Sequence, residues 1–244
     1  MQKLFCFFFA VICLTVSKAQ SPFIGTVKIE FEKNTNLPAL YKELAPEWYD
    51  MIKDRLPKSS TTYYDFIGDS THSIYKPGRE TRADYNGFQM LADKNVVYTD
   101  YTSNTSISQK PVFEETFLVT DSLQKIRWKI TADTRTIAGF DCRKAIGIID
   151  DTIAVFAFYT DEIMICGGPE SIHGLPGMIL GVGVPRLHTT WFATKVETSN
   201  VNLKPVTPEK KGKKVDRATM MKQLDKVLRE WGTWGSKMIV NFAI

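Results

Sequence analysis

The sequence predicts a mainly β, α+β fold: an antiparallel curved sheet, or an open barrel or sandwich, with an N-terminal helical insertion and a C-terminal helix. Three observations carry this. Short runs rich in β-branched and aromatic residues recur, separated by polar or Gly/Pro turns. No helix of useful length interrupts them, which argues against a parallel α/β arrangement. The apolar spacing turns helical in two places, near Ala45 and beyond Val215.

Phe23 to Phe31 alternates, with Phe23, Gly25, Val27, Ile29 and Phe31 on one side and Thr26, Lys28, Glu30 and Glu32 on the other. That is a half-buried strand with a solvated outer face. A helix is expected from about Ala45, with Pro46 accommodated in its first turn, where the missing N–H is harmless. Strands follow at Thr61–Ile67, Thr71–Tyr75, Asn95–Tyr101, Phe113–Thr120 and Lys125–Thr131. Pro205 to Lys214 reads as a linker. The helix after it, Val215 to about Trp231, aligns Met220, Leu224, Val227, Leu228 and Trp231.

The first twenty residues have the order of a secretory signal: Lys3, an apolar run from Leu4 to Val16, then Ser17-Lys18-Ala19. Cleavage is expected between Ala19 and Gln20. The run is shorter than the roughly 20 residues a membrane span needs, so no integral span is expected in the mature chain. The expected organisation is signal 1–19, a β-rich domain 20–203, and a basic linker with helix at 204–244. The location is periplasmic or extracellular.

The whole chain carries 31 basic and 27 acidic residues. Without Lys3 and Lys18 the balance is 29 to 27, too even to point to nucleic acid. Residues 204–237 hold ten basic and four acidic residues, a solvated face or a surface for a partner. Export removes Cys6 and Cys13 and leaves Cys142 and Cys166 in a compartment that permits a disulfide. Both a disulfide and two separate thiols remain open.

Residues 128–184 are the informative stretch. Phe140–Ile149 and Thr152–Thr160 flank Asp150-Asp151. A two-residue turn pairs 149 with 152, 146 with 155 and 142 with 159. That register puts Phe140, Cys142, Ile146, Ile148, Ile153, Val155, Ala157 and Tyr159 on one face. Ala154, Phe156 and Phe158 lie on the other, so both faces are apolar and the second needs a cover. The C-terminal helix, with its matching stripe, is the expected cover. Leu175-Pro176-Gly177-Met178 fits a type II turn, with φ > 0 at Gly177. Gly181 and Gly183 allow close approach of a backbone or an aromatic ring.

The ordered blocks Gly139-Phe-Asp-Cys142, Lys144-Ala145, Phe158-Tyr-Thr160, Glu162-Ile163, Gly168-Pro169 and Gly174-Leu-Pro-Gly-Met-Ile-Leu180 resemble the GLPGLI family of exported Gram-negative proteins. The signature covers about 60 residues, from Trp128 to Val184. Met178 stands where leucine is usual, Ile172 where an aromatic is common, and Phe158 where tryptophan is common. The resemblance implies an envelope or secreted location and brings no active site. It marks Cys142, Lys144, Gly168, Pro169, Gly174, Leu175, Pro176 and Gly177 as motif residues.

No catalytic constellation is recognisable. Glu170, Ser171 and His173 are neighbours on one loop, whereas triads converge from distant segments. Cys142 lies mid-strand with nothing to lower its pKa. His72, His173 and His188 show no metal-ligand spacing, and there is no nucleotide or flavin fingerprint, so no cofactor is expected. The leading expectation is a non-enzymatic binding or accessory protein of the cell envelope. Its ligand is an apolar molecule or an outer-membrane partner, with Phe156, Phe158 and His173 as candidate ligand-facing residues. The alternatives are a hydrolase or thiol enzyme using Ser171 with His173 or Cys142, and a copper-binding protein using Cys166, Met164, His173 and Met178.

Overall fold

A computed structural model describes residues 22–80, 92–204 and 206–244; the expected signal segment lies outside them. The described residues form one twelve-stranded sheet. In chain order the strands are β1 (Val27–Asn36), β2 (Ser59–Gly68), β3 (His72–Pro77), β4 (Val96–Asp100), β5 (Thr105–Val112), β6 (Glu115–Ser122), β7 (Arg127–Ile137), β8 (Phe140–Ile149), β9 (Ile153–Thr160), β10 (Met178–Val184), β11 (Thr189–Glu197) and β12 (Lys213–Val215). Helices α1 (Leu37–Leu44) and α2 (Pro46–Ile52) follow β1. The chain ends in α3 (Arg217–Glu230), α4 (Gly232–Met238) and α5 (Val240–Ala243). The sheet order is β12-β6-β5-β4-β3-β2-β1-β11-β10-β9-β8-β7, antiparallel except for the β12–β6 pair.

Two meanders meet at β1. One runs outward from β1 to β6; the other runs inward from β7 to β11 and pairs β11 with β1. Strands β6 and β7 lie near opposite ends of this order, yet only Leu123–Ile126 join them. Four residues span at most about 14 Å, so the sheet must curl until its ends come close, without closing by hydrogen bonds. The predicted fold class is therefore the observed one, in its open, curved form.

The register carries one inward face across the sheet. Val27, Ile29 and Phe31 of β1 are buried, and the same alternation continues to Lys33 and Thr35. Their partners Tyr64, Phe66, Trp191 and Thr189 are inward too, followed by Tyr75, Val182, Ala157 and Ala145 further out. The expected strands are present. Strands β5 and β11 were missed; in β5, Thr-Ser-Ile-Ser-Gln-Lys-Pro-Val lacks an apolar rhythm, and its inward residues are Ser108, Lys110 and Val112. Pro46 occupies the first turn of α2 as expected, but α1 precedes it, capped by the Asn36 side chain on Ala39 N at 3.0 Å.

The β8–β9 register differs from the expected one by a single residue. The turn has three residues, with Asp150 and Asp151 at positive φ and Thr152 N donating to Ile149 O at 3.1 Å. Ile149 pairs with Ile153 and Ile146 with Phe156. A one-residue slip exchanges faces. Ile146 and Ile148 therefore lie outside with Ala154, Phe156 and Phe158, at 44% and 42% exposure. Cys142 and the β9 residues Ile153, Val155, Ala157 and Tyr159 do face inward.

The C-terminal helix does not cover the Phe156–Phe158 face. Met220, Leu224 and Leu228 of α3 pack on Val112, Phe117 and Val119, at the inner face of β5 and β6. The outer face covers itself sideways. The Phe156 ring lies on Gly183 and the Phe192 ring on Gly181, where any Cβ would meet them at 2.1 and 2.7 Å. Arg135 stacks over Phe192 at 4.5 Å and over Phe158 at 5.9 Å. Val227 and Trp231, expected in the buried stripe, are exposed, and Trp231 stacks on Trp234 at 5.6 Å. Lys213 and Lys214 of the expected linker, with Val215 at the expected start of the helix, join the sheet as β12.

Candidate functional site: a sealed polar cluster under the motif loop

The motif loop folds over the inner face. Ile163, Ile165, Ile172, Leu175 and Met178 are buried in the main core, so Leu175 anchors the loop. Gly177 has φ +144°, and a Cβ there would lie 2.1 Å from Thr160 O. Its N–H donates to Leu175 O at 2.8 Å. The turn is thus a tight three-residue turn centred on Pro176 rather than type II, but the demand for positive φ at Gly177 holds. Gly168 is packed against the Ile172 main-chain oxygen, which a Cβ would approach to 2.8 Å, and Ile172 N donates to Pro169 O at 3.2 Å. Gly174 takes φ +92° beside the Trp128 indole. Lys144 lies outside the core and pairs with Asp133 at 3.1 Å.

These turns place Glu170 inside. It is 5% exposed, with its backbone at φ +54°, a region a glutamate occupies only when its surroundings hold it there. Asn95 Nδ2 donates to Glu170 Oε2 at 3.3 Å. Lys33 of β1 pairs with Asp93 at 2.7 Å, and Tyr64 donates its hydroxyl to Asp93 O at 2.9 Å. Lys110 of β5 is 7% exposed; its ammonium donates to the main-chain oxygens of Phe242 at 3.1 Å and Ile244 at 2.5 Å. Burial pushes Lys110 down to about 8, although the Glu170 charge opposes this. Burial likewise raises the Glu170 carboxyl above its usual range, against the pull of Lys33 and Lys110.

A small cavity sits among these groups, lined by Lys33, Thr35, Asn95, Glu170, Thr189 and Trp191 and closed on one side by Asn241 and Ile244. Three buried polar atoms around it lack a hydrogen-bond partner: Asn95 Oδ1, Tyr75 OH and Trp191 Nε1. The last two face each other without closing to hydrogen-bond geometry.

The other candidate residues do not converge. His173 Nδ1 donates to the Ser171 main-chain oxygen at 2.9 Å, not to its hydroxyl, and the His173 main-chain oxygen accepts from Trp128 Nε1 at 2.9 Å. Burial lowers the His173 pKa. His173 is therefore a loop-fixing residue, half-buried and far from presenting a base to Ser171. Cys142 is buried, and burial pushes its thiol up to about 12, which disarms it as a nucleophile. Cys142 and Cys166 are both free thiols. The sulfur set is split, since Met178 is fully buried while Met164 and Cys166 are exposed. Among the described residues no three of His, Cys, Asp and Glu gather at metal distance. Phe156 and Phe158 lie on the outer sheet face, away from the polar cluster.

Sequence reasoning weighed Glu170 only as a loop neighbour of Ser171 and His173, and missed Lys33, Asp93, Asn95 and Lys110. Lys33 had a signal: it follows Val27, Ile29 and Phe31 on the inward alternation. Lys110 had none, because its burial is set by a strand without apolar rhythm.

A mainly β module with a cluster of ionisable groups in its interior is the class that fold and site define. Residues 87–222, more than half of the chain, match the family described as N-glycanase peptide, N-terminal domain, and the chain belongs to that family. Two solved structures of PNGF-II share the fold. One, in space group C2, has a TM-score of 0.53 and 15% identity over 85% of this chain and 33% of that one. The other, in P21, has the same score and identity over 86% and 34%. The chain thus spans about a third of the length of these proteins. No curated protein matches the sequence. No helix among the described residues is long and apolar enough to cross a membrane.

Proposed function

We propose that the protein is an exported, non-enzymatic binding module that engages glycosylated polypeptides in the cell envelope or outside it. One observation carries this reading: the molecule's interior ionisable groups, Lys33, Asp93, Glu170 and Lys110, are sealed and engaged with one another or with main chain. Buried charges fixed in that way are committed to their partners, and removing one partner leaves the other uncompensated. General acid–base work needs a group within hydrogen-bond reach of a substrate. The kinship with the N-terminal domain of an N-glycanase supplies the ligand class, a polypeptide bearing N-glycans. The GLPGLI-like blocks fall within the matched residues, and we propose that they mark the loop that seals this interior. Export rests on the N-terminal charge, apolar run and small-residue site.

The test is incubation of the full chain with a defined N-glycosylated peptide, followed by mass measurement of the peptide. Its mass is expected to remain unchanged. Release of the glycan, abolished by Glu170→Gln or Ser171→Ala, would replace the binding reading with an enzymatic one.

A further inference from the structure

The segment 239–244 is held in an unusual way. Its side chains are not the only things recognised; its main chain is. Lys110 donates to the oxygens of Phe242 and Ile244, and Arg217 donates to that of Ala243. A buried ammonium is costly to desolvate, so a strand that places one inward needs an acceptor there. The acceptors here are main-chain oxygens of the last six residues, which any polypeptide offers. Phe242 anchors the segment, 1% exposed against Val112, Phe117 and Leu224. Beyond it, Asn241 and Ile244 line the small cavity together with Asn95, whose buried Oδ1 lacks a partner.

The side chains of Val240, Phe242, Ala243 and Ile244 are buried, but the elements that carry the segment are short. Helix α3 ends at Glu230, and Gly232, which opens α4, has φ +72° and open space where a Cβ would stand. The two helices beyond have seven and four residues, without capping side chains. Helices that short depend on tertiary contacts for their stability. Gly232 supplies the backbone turn between α3 and these helices.

We infer that the inner cavity and the adjoining apolar pocket form a binding site for a polypeptide segment with one bulky apolar residue, occupied in this form by the chain's own residues 239–244. The inference rests on the binding-module reading and names its ligand: main-chain oxygens are read by Lys110 and Arg217, and one aromatic or large aliphatic side chain fills the Phe242 seat. Tethering gives the internal segment an effective concentration on the order of millimolar. The intact protein therefore resists weak competitors and yields to a ligand that fills the seat better.

The experiment uses the full chain carrying Phe242→Ala, with a fluorescent synthetic peptide of residues 232–244 as the probe and anisotropy as the readout. The variant should bind the peptide saturably, at least tenfold more tightly than the unsubstituted chain does. Adding Lys110→Met should weaken that binding at least tenfold, as should replacing phenylalanine in the peptide by alanine. A variant that melts cooperatively yet binds no better than the unsubstituted chain overturns the inference. Should Phe242→Ala fail to fold, hydrogen exchange on the unsubstituted chain decides. The amides of 240–243 should exchange through an opening that leaves β9 and β10 protected. Protection equal to that of β9 would make the segment permanent core and overturn the inference. Neither outcome depends on glycan turnover, so failure here is distinguishable from failure of the binding-module reading.

Discussion

Gly177 concentrates two constraints in one residue. Its φ of +144° is one that side chains rarely adopt, and its missing Cβ leaves room for the Thr160 main-chain oxygen. The strain alone is worth on the order of 1–3 kcal/mol, and the clash is with backbone that cannot rotate away. Gly177→Ala should therefore lower stability by more than about 1 kcal/mol, seen as a lower denaturant midpoint; an unchanged midpoint would refute the geometry. Leu175 is 2% exposed, so Leu175→Ala should cost about 2–5 kcal/mol, as other large core truncations do. The need for glycine was legible in the Leu-Pro-Gly-Met order. The burial of Leu175 was not, because one leucine in a loop has no periodicity to place it.

Glu170 and Lys110 make opposite contributions to the pH dependence. The Glu170 carboxyl is raised from 4.5 in the fold. The stability that its proton favours is present below 4.5 and lost as pH rises toward the raised value. Stability relative to Glu170→Gln should accordingly fall as pH rises above 4.5. Lys110 is lowered from 10.5 to about 8. Its buried charge opposes folding below 8, and that penalty is relieved as pH rises from about 8 to 10.5. Stability relative to Lys110→Met should rise over that window. Denaturant titrations across pH, each against its variant, read both trends; pH-independent differences would show that neither group is perturbed.

Among the elements, the β8–β9 hairpin shows how far pattern reaches. Alternation located both strands, and the turn residues located the reversal between them. Asp150-Asp151 permits a two-residue turn as readily as a three-residue one, and only packing chooses. Gly147 pairs with Val155, and the Trp128 ring fills the space its missing side chain leaves. That inward seat excludes the expected register, which would have turned Ile146 and Ile148 inward. Ile148→Lys should consequently change the melting temperature little, whereas Ile149→Lys should prevent folding, since Ile149 is 1% exposed. The reverse order of effects, Ile148→Lys preventing folding and Ile149→Lys tolerated, would restore the expected register. The outer face teaches a related lesson: Phe156 and Phe192 find cover on Gly183 and Gly181 of the same sheet, so an apolar second face need not imply a second layer. Glycines beside aromatics were visible in the sequence, but their cross-strand alignment was not.

For the molecule as a whole, composition and recurring short strands were enough to read an open, curved, mainly β fold. The curl follows from a feature that no local pattern reveals. Strands far apart in the sheet, β6 and β7, are joined by Leu123–Ile126 alone. That curl makes an interior, and the motif loop and the C-terminal segment fill it with Glu170, Lys110 and their partners. The exported chain should begin at Gln20, as N-terminal sequencing of secreted material would show; a start at Met1 would contradict the signal reading. The claim that this interior serves binding without turnover meets its most direct test in native mass spectrometry of the full chain mixed with one defined N-glycosylated peptide. The binding reading predicts a one-to-one complex whose released peptide keeps its full mass and its glycan. A chain that stays bare, or one that yields glycan-free peptide, would contradict it.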